Sequence, residues 1–160
     1  MVDRDRDRDE FGKARNSRPR DALGRPLPHG SQGVARIPDN LELSPADSLI
    51  YAQELLDQGL AFHAHEVLEA AWKNGPDDER DMWQGLAQLA VGITHIQRGN
   101  AAGAAGVLSR AADHLDDVDR PAPHGIDVDG LVTHARALGE DLARETDIDA
   151  ERLRPRLKTT

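Results

Sequence analysis

At 160 residues the chain has room for one domain and a tail, and with no cysteine it excludes a disulfide scaffold, a thiolate nucleophile and a Cys-based zinc site. Hydrophobic residues make up 38% of it, but only two Trp, one Tyr and two Phe are aromatic, so the core must be built from Leu, Val, Ile and Ala. The net charge of −9 is uneven: residues 41–160 hold 11 basic and 22 acidic side chains, a surface that repels phosphate backbones and makes nucleic acid an unsuitable partner for that part.

Residues 1–40 form a charged, Pro-containing N-terminal arm that opens with alternating Asp and Arg and shows no periodic apolar face. Within it, residues 11–36 carry six bases against one acid, which suits contact with the acidic body of the same chain or with another subunit of a homo-oligomer. No apolar run approaches the roughly 20 residues of a membrane span, and no apolar stretch follows the charged start, so the expectation is a cytoplasmic protein without membrane contact. Twenty of the 29 acids are Asp and only three of the 20 bases are Lys, a balance that points to a halophilic protein in a salt-rich cytosol. In molar salt the Debye length shrinks to about 3 Å, and dense like charge no longer opposes folding.

Residues 41–145 read as an all-α bundle of about five helices joined as consecutive antiparallel hairpins. Ser44 as N-cap with Pro45 behind it starts the first helix, which ends near Gly59. The second runs from about Leu60 to Lys73, with Leu60, Ala64, Val67, Leu68 and Ala71 on one side, and stops at Asn74-Gly75-Pro76. The third, from near Asp77 to Arg98, is apolar nearly all round and belongs at the centre, with Gly85, Gly92 and Gly99 as a groove for another helix. Gly99 closes it with positive φ, and Asn100 caps a fourth helix bearing Ala104, Val107, Leu108, Ala111 and Leu115. A fifth runs from about Asp127 to Arg144, and residues 146–160 form a C-terminal extension expected to be extended around Pro155.

The candidate functional residues sit on the second and third helices. His65, Glu69 and Trp72 at i, i+4, i+7 fall within about 60° of one another, forming one stripe at the edge of the apolar arc. Gln84, Gln88 and His95 belong to a second stripe; folding the hairpin about residues 74–77 sets Gln84 and Gln88 level with His65 and Glu69, where a shared polar network is expected. His95 lies some 13 Å further along and belongs to another contact, while His63 points about 200° away from His65. Trp83 reads as core or subunit interface, and His114, His124 and His134 as exposed.

The runs Phe62-His63-Ala64-His65-Glu66-Val67-Leu68-Glu69-Ala70-Ala71-Trp72, Gln84-Gly85-Leu86-Ala87-Gln88 and Arg98-Gly99-Asn100 resemble the family called domain of unknown function 309. Its marker His-x-x-x-Glu-x-x-Trp is matched by His65, Glu69 and Trp72, and the resemblance covers roughly residues 45–117. It implies an all-helical bundle of bacterial or archaeal origin, with a suggestion of metal binding by His and Glu; the Asp-rich composition would fit a haloarchaeal member.

His65 and Glu69 are a two-donor helical arrangement for a divalent metal ion, whereas a catalytic zinc commonly has three protein ligands and an open position. A further ligand would have to come from the first helix, from His29 or from a second subunit. The first reading is therefore an interaction or structural module in which Glu69 accepts from His65, the glutamines complete the network and Trp72 covers it. The alternative is a metal- or small-ligand-binding protein built on His65 and Glu69, a metal-dependent hydrolase among the options.

Overall fold

The computed structural model describes residues 20–25, 37–38 and 41–159, together with the backbone of residues 7–8 and 14–15. The remainder of the arm, including His29 and most of the basic stretch 11–36, lies outside the described residues.

The helix starts follow local chemistry. Ser44 Oγ accepts from the Asp47 amide at 3.1 Å and Pro45 occupies the first turn, opening α1, Pro45–Asp57. Gly59 at φ +79° closes it, and α2 follows as Ala61–Asn74. The acidic run Asp77–Glu79 is a 3-10 turn rather than the first turn of the next helix; α3 begins after it and spans Arg80–Gln97. Gly99 at φ +77° then ends α3, and the Asn100 side chain accepts from the Gly103 amide to open α4, Ala101–Asp116. Asp127 does the same through the Gly130 amide for α5, Val128–Ala143.

Each helix packs on the next, α1 on α2, α2 on α3, α3 on α4 and α4 on α5, with short joints reversing the chain. The result is an all-helical bundle, and α3 supplies its longest buried face: Met82, Trp83, Leu86, Leu89 and Ile93 are each at most 1% exposed. Burying each of these side chains contributes about 1.5–3 kcal/mol against solvent exposure. Gly85 and Gly92 receive α4, since a Cβ on them would stand 2.7 Å from Leu115 and from Leu108. Gly99 takes no part in that groove; nothing lies within 4 Å of its Cβ position, and its role is the turn.

Among the described residues, both ends carry elements outside the five helices. In the arm, β1 (Asp7–Arg8) pairs antiparallel with β2 (Ala14–Arg15). The C-terminal extension contains a 3-10 turn at Ala150–Leu153 and is stitched to the bundle rather than loosely extended. The Gln53 amide of α1 donates to Pro155 O and accepts from the Leu157 amide, both at 2.9 Å, so one side chain acts as a short strand partner. Leu153 and Leu157 join the core, and Ile126 bridges to Lys158.

Candidate functional site

Helical spacing places a charged ladder along one side of α2. His65 Nδ1 lies 3.0 Å from Phe62 O, and Nε2 lies 2.9 Å from Glu69 Oε2. Both partners are acceptors, and the ring turns one nitrogen to each. The other carboxylate oxygen of Glu69 receives Lys73 Nζ at 2.9 Å, extending the ladder to i+8. The hydrogen bond from His65, aided by Lys73 and opposed by burial, holds the Glu69 carboxyl down at about 2. The ladder is half open, with side-chain exposures of 19% for His65 and 35% for Glu69. It floors a groove of about 240 Å³ whose walls include Phe62, Glu66, Ile37 and Pro38.

Trp72 packs at the margin of the core beneath the Arg80 guanidinium, 5.7 Å from its ring, and its indole N–H finds no partner among the described residues. It therefore caps neither His65 nor Glu69 by hydrogen bonding.

The glutamines do not join the ladder. Gln88 Oε1 accepts from His114 Nδ1 of α4 at 2.7 Å, and Gln84 is half-buried with no hydrogen bond among the described residues. Azimuth decides: Gln88 lies one turn from Gly85, on the side of α3 that Gly85 and Gly92 turn toward α4. The face of α2 that meets the core is instead Ala64, Val67 and Leu68. His95 accepts at Nδ1 from the Asn100 side chain, 3.2 Å away, and so helps the α3–α4 joint.

Five residues take roles that the sequence reading did not assign them. Lys73 was legible as the next i+4 step after Glu69. His63 is 1% exposed with neither ring nitrogen hydrogen-bonded among the described residues; burial, then Arg20, lowers its pKa. Its spacing carried a signal, since it stands three residues after Leu60 and four before Val67, on the flank of the buried side of α2. Glu79 accepts from both the Trp83 indole at 3.1 Å and His124 Nε2 at 2.8 Å; the first is an i,i+4 contact, the second a long-range one without local signal. His114 and His134, expected to be exposed, are half-buried, and burial lowers the His134 pKa. Among the described residues no group of three or more His, Asp or Glu side chains is placed to hold a metal ion, and no helix is long and apolar enough to cross a membrane.

Residues 49–107 match the family described as a domain of unknown function, DUF309. The chain is 34% identical over 89 residues to the uncharacterized protein YpuF of Bacillus subtilis, an alignment covering 48% of this chain and 51% of YpuF. The chain thus spans about half the length of the curated relative it matches. No solved structure matches it.

Proposed function

We propose, from the match of residues 49–107 to the DUF309 family and from the geometry of α2, that this chain is a helical interaction or structural module rather than a metal-dependent enzyme. The observation that carries the reading is the state of Glu69: one oxygen is committed to His65 and the other to Lys73. A metal ion would have to displace the Lys73 ammonium and the His65 contact from that carboxylate, and would gain only two protein donors for it. The ladder instead fixes the side chains along the α2 groove, giving a partner a pre-ordered polar strip beside the apolar Phe62, Ile37 and Pro38.

Calorimetric titration of zinc and manganese into wild type and Glu69→Gln tests this. Wild type should show no saturable uptake that the substitution removes, while Glu69→Gln lowers the melting temperature. Stoichiometric binding in wild type that Glu69→Gln abolishes would overturn the proposal.

The Asp-rich, Lys-poor composition supports a halophilic, archaeal setting in a salt-rich cytosol. The melting temperature should then climb steadily from dilute buffer to molar KCl. A flat or falling curve rejects that setting without touching the reading of α2.

A further inference from the structure

The arm touches the bundle where α2 begins and α3 ends, and the contact is built on a single ring. Phe62 carries the guanidinium of Arg20 at 4.8 Å from its centroid and that of Arg98 at 5.5 Å. Between these charges sits a tight turn, residues 21–25. The Gly24 amide donates to Asp21 O at 3.0 Å, and Asp21 Oδ1 accepts from the amides of Leu23 and Arg25 at 3.0 and 2.9 Å. Arg98 Nε of α3 donates to Leu23 O at 2.9 Å, anchoring the turn from the bundle side.

Gly24 is the residue that permits the fit. Its φ of +79° suits glycine, and a Cβ placed on it would collide with the Phe62 ring. The turn is thus held in shape by its own aspartate and seated by ring, guanidinium and carbonyl together.

From this we infer that the α2–α3 corner formed by Phe62 and Arg98 is a peptide-docking site for an arginine-and-glycine turn, Arg20-Asp21-Ala22-Leu23-Gly24-Arg25, which the chain's own arm occupies. The body as a whole is acidic, with 22 acids against 11 bases in residues 41–160, but at the seat itself Arg98 lies near Arg20 and Arg25, so ring, carbonyl and shape select the turn rather than charge. Self-closure by Asp21 means little order is lost on docking, the condition under which a short peptide can bind measurably. Phe62 also walls the groove beside His65 and Glu69, so seating the turn fixes one wall of that groove and couples the arm to whatever the groove receives. That coupling rests on reading the groove as an interaction face; the docking itself does not.

The test uses the full chain bearing Gly24→Val, in which the arm cannot seat, and a fluorescent peptide covering residues 17–28. The peptide should bind this variant saturably and the intact chain at least about ten-fold more weakly, because the intact site is filled in cis. A peptide carrying Gly24→Val should not bind, and Phe62→Leu in the Gly24→Val chain, which keeps apolar volume but removes the ring, should abolish binding of the wild-type peptide. Tryptic cleavage after Arg20 should be about ten-fold faster in the Gly24→Val chain than in wild type, with helical circular dichroism unchanged. Equal peptide affinity for both chains, equal binding of both peptides, or equal cleavage rates would each overturn the proposal. Glu69→Gln should leave peptide binding to the Gly24→Val chain intact, which separates failure of the groove reading from failure of this one.

Discussion

Two histidine–glutamate pairs of nearly the same length do different work in this molecule. His65 and Glu69 meet at 2.9 Å within one helix, four residues apart, on a half-open face. His124 and Glu79 meet at 2.8 Å across 45 residues, joining the loop before α5 to the turn before α3. Each pair has a tryptophan nearby, and the contrast there is larger. Trp72, the one in the motif that carries the resemblance, is half-buried with its N–H unpartnered among the described residues; Trp83 is 1% exposed, hydrogen-bonded to Glu79 and 5.9 Å from the His124 ring. The tryptophan on which the resemblance was read in sequence is therefore not the one set deepest in the bundle.

That contrast predicts the largest effect. Trp83→Ala removes a filled core position and one of the two donors to Glu79, and should cost about 3–5 kcal/mol. Trp72→Ala removes only a partly buried ring and should cost about 1–2 kcal/mol. Urea unfolding of the two variants measures the difference. Equal losses would mean that the marker tryptophan is as central as the buried one and would dissolve the distinction drawn above.

The same contrast explains what could be read from the chain before its structure. Helix ends were legible because caps are local: Ser44, Gly59, Gly99, Asn100 and Asp127 each act within four residues of themselves. The His65–Glu69 pair was legible for the same reason, being a single helical turn. Helix-to-helix azimuth was not, and the pairing of Gln88 with His114 shows the cost, because glycines at 85 and 92 direct that side of α3 to α4 rather than to α2. The Gln53 clasp on the C-terminal extension and the Glu79 junction depend on contacts far apart in sequence, and no periodicity announces them. Gly24 offered a faint signal, an Asp-x-x-Gly turn inside an otherwise aperiodic arm, but its fit against Phe62 is a tertiary fact.

Smaller effects should separate the two pairs by their response to acid. For Glu69 the folded pKa of about 2 lies below the ordinary 4.5, so its stabilisation is present above 4.5 and is lost as pH falls toward 2. Because the side chain is 35% exposed, solvent screening discounts the full shift to about 1–2 kcal/mol. The stability gap between wild type and Glu69→Gln should therefore have that size at neutral pH and close on acidification. A gap that persists unchanged at low pH would assign it to packing instead of charge. The second pair should yield less. Burial of Glu79 opposes its ionisation, and only the hydrogen bonds from His124 and Trp83 together bring its pKa below the usual value. His124 itself sits at φ +60°, so His124→Asn, which tolerates that backbone better than alanine, deletes the imidazole with least strain. The Trp83 N–H remains to hold the carboxylate, and the loss should be about 0.5–1 kcal/mol. If His124→Asn instead destabilised the fold more than Glu69→Gln, the junction between the α5 loop and α3, not the ladder on α2, would be the stronger of the two pairs.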